Sequence, residues 1–154
     1  MNHFFMHAPK WRTEAGVLTL LAWLTSCGPN NKAVEYPLIE TANTNALDIA
    51  KVELTDSATI LHTDAYYRPH NWIRISSESY LQAGGKRYML TGAEGITPDS
   101  LFWMPESGEA SFTLCFEPLP SGTTSFDFIE SDCEDCFKLF GIDLTGKKII
   151  RHTG

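Results

Sequence analysis

Cys133-Glu134-Asp135-Cys136 is the spacing in this 154-residue chain with the most chemistry in it. Two cysteines separated by two residues can close a small disulfide ring, and at a helix N-terminus the first thiolate is stabilised by the helix dipole. The setting here works against that use. Asp132, Glu134 and Asp135 surround the sulfurs with negative charge, which disfavours a thiolate. Only 18 residues follow Cys136, so the long helix and further strands of a thioredoxin-type site are not expected. Three readings stay open: a structural disulfide in a loop, a pair of reduced inert thiols, or redox or metal chemistry. The first is preferred.

Other candidate groups are weaker. Zinc needs four ligands, and no second cysteine or histidine pair with finger spacing accompanies the first. Glu130, Asp132, Glu134 and Asp135 offer oxygens to calcium, but their spacing matches no EF-hand loop, and a solvated acidic loop is the expectation. His62 and Asp64 are two residues apart in a strand-like run, so they share a face. They read as an exposed polar pair, with metal binding or proton transfer as the alternative. His70 falls in a loop and His152 in the terminal tail. No G-x-S-x-G elbow, H-E-x-x-H pair or glycine-rich phosphate loop is present. The chain is therefore expected to be no enzyme and to need no cofactor or metal.

Aromatic residues gather near turns and strand ends. Rings at the rim of a sandwich can form a platform for a sugar or a peptide, and they can equally be core. Trp72 and Phe112 are assigned to the core, and Tyr66, Tyr67 and Trp103 to a candidate ligand platform.

The N-terminal segment carries a different kind of chemistry. Lys10 and Arg12 precede an apolar run, Val17 to Leu24, followed by Thr25-Ser26-Cys27. The run is too short for a membrane-spanning helix, which takes about 20 apolar residues. The order of basic, apolar and small residues before a cysteine resembles a bacterial lipoprotein signal with its lipobox. The resemblance implies that residues 1–26 are removed, that Cys27 is lipidated, and that the protein is anchored to a membrane of the bacterial cell envelope. Residues 27–33 then read as a tether. That tether lacks an acidic cluster of the kind that accompanies surface display, so the periplasmic side is expected.

Removal of 1–26 leaves 128 residues with ten Lys+Arg against eighteen Asp+Glu, a balance of −8. That is enough chain for one domain with a core. An acidic surface repels phosphate backbones, which excludes nucleic acid as the favoured partner. With Cys27 lipidated, Cys115, Cys133 and Cys136 remain, so one thiol is left over from any intramolecular pair.

The elements that must position these groups are strands. Residues 34–148 show apolar alternation and turn signals about every 8–12 residues, which predicts an antiparallel, immunoglobulin-like β-sandwich of eight or nine strands. Ser79 to Leu90, with Ala83-Gly84-Gly85 at its centre, predicts a β-hairpin. Ala110 to Glu117 alternates, with Phe112, Leu114 and Phe116 on one face. Leu47 to Lys51 is the one helical candidate, a single turn. Residues 149–154 are a tail.

Two segments carry a resemblance: Tyr88 to Pro98, and Ser111-Phe112-Thr113-Leu114-Cys115-Phe116-Glu117-Pro118-Leu119-Pro120 running into Thr123 to Glu130. They resemble the β-sandwich domain of Bacteroidetes-type envelope lipoproteins, which often precedes a thioredoxin-like domain of the thiol–disulfide reductase kind. No such second domain is expected within these 154 residues. The resemblance implies a structural domain and transfers no active-site residue. The expected function is a non-catalytic binding or accessory domain anchored through Cys27, its partner an envelope protein or a glycan. A redox accessory module using Cys133 and Cys136 is the alternative, and a carbohydrate-binding domain is a weaker one.

Overall fold

A computed structural model describes residues 31–147. Cys27, the signal segment, most of the tether and the 149–154 tail lie outside the described residues. Strand structure begins at Lys32, two residues before the expected start of the domain at Val34.

Eleven strands follow: β1 Lys32–Glu35, β2 Ile39–Ala42, β3 Leu47–Leu54, β4 Thr59–Tyr66, β5 Trp72–Ile73, β6 Tyr80–Ala83, β7 Lys86–Glu94, β8 Phe102–Trp103, β9 Glu109–Phe116, β10 Ser125–Ile129 and β11 Lys138–Asp143. Nine form one antiparallel sheet in the order β1-β3-β4-β9-β7-β6-β10-β11-β2, and β5 pairs with β8. The expected class, an antiparallel all-β sandwich, is borne out; the main sheet has nine strands, and the short β5–β8 pair comes in addition to the eight or nine expected.

β7 turns the sheet into two layers. Its first half, Lys86–Met89, pairs with β6, and its second half, from Leu90, pairs with β9 across a register shift between Leu90 and Gly92. Such an irregularity bends a strand and sharpens its twist. A second crossing lies at Tyr36–Leu38, between the two ends of the sheet order. Tyr36 N–H still donates to Ala50 of β3, while Leu38 C=O already accepts from Asp143 of β11. Pro37 sits between them, where a residue without an N–H leaves no ladder donor unpaired.

The core fills the space between the layers. Phe112, Leu114 and Phe116 point inward from β9 as expected, and the Phe116 ring meets Phe128 of β10 edge-on at 6.1 Å. That contact adds roughly 0.5–1.5 kcal/mol beyond burial. The Gly84-Gly85 turn between β6 and β7 has φ of 56° and 74°, the pair of positive angles that a two-residue type I′ hairpin requires.

One local expectation fails. Leu47 to Lys51 is strand, not a helical turn. A bulge between Ile49 and Lys51 shifts the inward positions to Leu47, Ile49 and Val52, and so breaks the period of two.

Candidate functional site

The β4–β9 ladder continues beyond its regular end. Pro69 stops β4, because it cannot donate to a ladder. Past the last regular pair, Tyr66 and Glu109, the two chains stay joined. Tyr67 N–H donates to Gly108 C=O at 3.0 Å, His70 N–H to Met104 C=O at 3.1 Å, and Met104 N–H to Asn71 C=O at 2.7 Å. β5 and β8 then pair Trp72 with Trp103 and Ile73 with Phe102.

This ribbon has an apolar inner face and an aromatic outer face. Ile73, Ile75 and Met104 belong to the buried core cluster, so the ribbon is braced on the end of the sandwich. Trp72 is 48 % exposed and Trp103 61 % exposed, and Leu101, two residues before Trp103, is 48 % exposed. Directly opposed residues in an antiparallel pair have their Cβ atoms about 4.5–5.5 Å apart on the same face, so Trp72 and Trp103 project from the same face of the ribbon. The assignment of Trp72 to the core is therefore overturned. Alternation with the buried Ile73 and Ile75 puts Trp72 on the solvent side, and that signal was present in the sequence.

Of the other expected platform residues, Tyr66 and Tyr67 lie at the root of the ribbon, each 44 % exposed. Asp64 beside the Tyr66 hydroxyl pushes its pKa up, with burial and Glu109 adding to the effect. The structure thus brings Trp103 together with Trp72 and places the tyrosines where the ribbon begins.

The platform and the chain's entry point lie at opposite ends of the β3–β4–β9 sheet. Lys32 pairs with Leu54, Leu54 with Thr59 and Thr59 with Phe116, which defines one end. Leu47, Ala65 and Ala110 define the other, from which the ribbon extends. At about 3.3 Å per residue these rows are roughly 20 Å apart.

The cysteine pair lies in the β10–β11 connection. Cys133 and Cys136 are disulfide-bonded, with Cα atoms 5.2 Å apart, inside the range that a bridge needs. Cys133 is exposed and Cys136 buried. The loop is held from several sides. Asn43 donates through Nδ2 to Cys136 C=O at 2.8 Å and accepts the Lys138 N–H at 2.9 Å. Tyr80 O–H donates to Asp132 at 2.8 Å, and the Arg87 guanidinium lies 4.3 Å from the Tyr80 ring centroid. The expectation of a fully solvated acidic loop is corrected at Glu130. That residue is only 5 % exposed, and its carboxylate accepts the Ser76 N–H at 3.2 Å and the Phe137 N–H at 2.9 Å. Glu134 and Asp135 are exposed.

His62 and Asp64 share the outer face of β4 but do not pair. His62 Nε2 lies 2.8 Å from Glu53, and Asp64 accepts the Ser111 hydroxyl at 2.7 Å. Among the described residues, no three His, Cys, Asp or Glu side chains come together as a metal site. Cys115 is the free thiol of the described residues, half-buried on the outer face of β9. Burial, then the charge of Glu94, pushes its pKa up, which makes it a poor nucleophile.

A hollow of about 810 Å³ lies along Lys32–Leu38, with Lys51 and Thr145–Lys147 on its other wall. Two of its three lysines are engaged, since Lys32 donates to the Leu144 carbonyl and Lys51 pairs with Glu53 at 3.2 Å. It contains none of the residues singled out in the sequence.

No protein-family model matches the chain, no curated protein matches it in sequence, and no solved structure matches its fold. The resemblance to Bacteroidetes-type envelope lipoproteins rests on the segments quoted above.

Proposed function

We propose that this chain is a non-catalytic binding domain of the bacterial cell envelope, anchored through lipid on Cys27 and facing the periplasm. The observation that carries the binding role is the exposure of Trp72 and Trp103, paired across the strands, on a ribbon whose other face is locked into the core. A domain with no ligand gains nothing from two half-exposed indoles, which carry large apolar surface into water. The anchoring role is supported by the order of residues from Lys10 to Cys27. Four residues lie between Cys27 and Lys32, a reach of at most about 18 Å.

Two experiments test the reading. Membrane fractionation should find the wild type in the membrane pellet and Cys27→Ala released or unprocessed. A normally processed, membrane-bound Cys27→Ala protein refutes the anchor. The full chain, purified in mild detergent and immobilised, should retain envelope material, and Trp72→Ala with Trp103→Ala should abolish retention. Retention that ignores both substitutions refutes the platform. Removal of the domain by protease added to intact cells refutes the periplasmic placement.

A second reading, a redox accessory module, is favoured by one observation: the disulfide joins an exposed Cys133 to a buried Cys136. That asymmetry leaves one sulfur open to attack by a partner thiolate. The exposed Glu134 and Asp135 repel such a thiolate, which ranks this reading second. An insulin-reduction assay separates the two readings, since turnover that vanishes in a Cys133→Ser, Cys136→Ser variant promotes the redox role.

A further inference from the structure

We propose that the outer face of the β5–β8 ribbon, centred on Trp72 and Trp103, binds the apolar face of the pyranose rings of a neutral glycan. This deepens the binding-domain reading and rests on it. Three features of the ribbon select this occupant over a protein, a lipid surface or a charged polymer.

The first is area. A fully buried aromatic side chain covers about 150–250 Å². Two indoles and a leucine at half exposure therefore offer on the order of 300 Å², against the ~800 Å² per partner that a stable protein interface buries. The patch is too small for a second copy of this chain or another folded protein, and it matches two or three sugar rings laid flat. The second is charge. The two arms of the ribbon, residues 67–75 and 99–108, carry Arg68 and Arg74 against Asp99 and Glu106. They balance, on a chain whose overall charge is −7. No ionic ligand is called for there, and the acidic remainder of the molecule disfavours an anionic one.

The third is placement and preorganisation. The ribbon extends from the end of the sheet opposite Lys32. Its inner face is fixed by Ile73, Ile75 and Met104 in the core. The rings are therefore presented at little further entropy cost, which is what weak stacking contacts need in order to yield net affinity. His70 and Asn71, both exposed, sit just before Trp72 and supply polar groups of the kind that orient ligand hydroxyls.

The test is calorimetric titration of the full chain, in mild detergent, with cello-, manno-, chito- and laminari-hexaoses, and with an oligogalacturonate as anionic control. At least one neutral hexaose should bind. Trp72→Ala and Trp103→Ala should each weaken it about tenfold or more, the loss expected when one stacking ring is removed, with melting temperature unchanged. The Trp→Phe variants keep a ring, and should fold and bind with intermediate affinity. No binding to any neutral hexaose, tightest binding to the anionic control, or affinity unaltered in the double alanine variant overturns the proposal. A further arm separates it from its parent reading. Envelope material retained through Trp72 and Trp103 even after periodate has cleaved its sugars leaves a binding domain whose ligand is not a glycan. No retention at all removes both.

Discussion

Glu130 and Phe137 are hydrogen-bonded to each other twice: Glu130 N–H donates to Phe137 C=O at 2.9 Å, and Phe137 N–H donates to the Glu130 carboxylate at 2.9 Å. Between them lies the loop that holds the cysteine pair. The loop is therefore closed at its base by an acidic side chain, whether or not the sulfurs are joined. The other carboxylate oxygen takes the Ser76 N–H at 3.2 Å and ties in a second loop.

It follows that Glu130, and not the disulfide, holds this corner together. Glu130→Ala leaves two part-buried backbone donors without their acceptor, at up to about 1–3 kcal/mol for each. The Cys133–Cys136 bridge spans a sequence separation of 3, and the loop-entropy model gives short loops less than the ~3 kcal/mol of a 15-residue loop. Thermal melts should show a large drop for Glu130→Ala and a small one for Cys133→Ser with Cys136→Ser. The reverse order would make the disulfide the principal brace.

How much of this was legible in the sequence depends on how local the signal was. The Gly84-Gly85 hairpin and the Phe112, Leu114, Phe116 face were readable, because a two-residue turn and an unbroken period of two need no tertiary information. Leu47 to Lys51 was misread because a bulge is an extra residue in the ladder, and in one dimension it mimics a helical spacing. The role of Glu130 depends on Ser76, 54 positions away, a contact that no local pattern encodes. The aromatic site was half legible. Tyr66, Tyr67 and Trp103 were marked for a platform, but the partner of Trp103 is Trp72, and their meeting depends on the β4–β9 ladder continuing past Pro69.

Thr63 yields a stabilising prediction. It is 2 % exposed on the inner face of β4, and its hydroxyl has no hydrogen-bond partner among the described residues. A buried hydroxyl without a partner carries a desolvation cost of about 1–3 kcal/mol. Thr63→Val keeps the shape and the β-branch while removing that hydroxyl, so the melting temperature should rise by a few degrees. A fall would mean that the hydroxyl bonds to an internal water.

Acid should weaken the fold through Glu53, Asp99 and Asp143. The His62 hydrogen bond, helped by Lys51, holds the Glu53 carboxyl below its ordinary 4.5. The Ser77 hydroxyl and N–H lower Asp99, and those of Thr145 lower Asp143. A carboxylate whose folded pKa is depressed contributes stability that is complete above the unfolded pKa and is lost as pH falls through the folded one. Melting temperature should thus be flat around neutrality and fall below about pH 4.5, with a shallower fall in Glu53→Gln. All three groups are solvent-accessible, so each contribution is small. An unchanged slope in Glu53→Gln would show that the His62 contact does not persist in solution.

The last prediction concerns Gly141, in the middle of β11. Phe126 pairs with Ile142 and Phe128 with Leu139, so β11 carries one more residue than β10 across this interval. Gly141 has φ of +65°, and its N–H donates to the Asp127 carboxylate at 2.9 Å. That is a bulge built on a left-handed residue. The conformation costs a residue with a Cβ about 1–2 kcal/mol. Space is a second obstacle, because a Cβ there would lie 2.6 Å from a Glu40 carboxylate oxygen and 2.7 Å from the Glu40 Cβ. Glu40 belongs to β2, so the clash would push away the strand that ends the sheet. Gly141→Ala should therefore destabilise the domain by more than the backbone term alone, and Glu40→Gly in the same chain should recover part of the loss. Chemical denaturation of the single and double variants measures both quantities. A Gly141→Ala midpoint equal to wild type would mean that β11 runs without the bulge, and the register of β10, β11 and β2 would have to be redrawn.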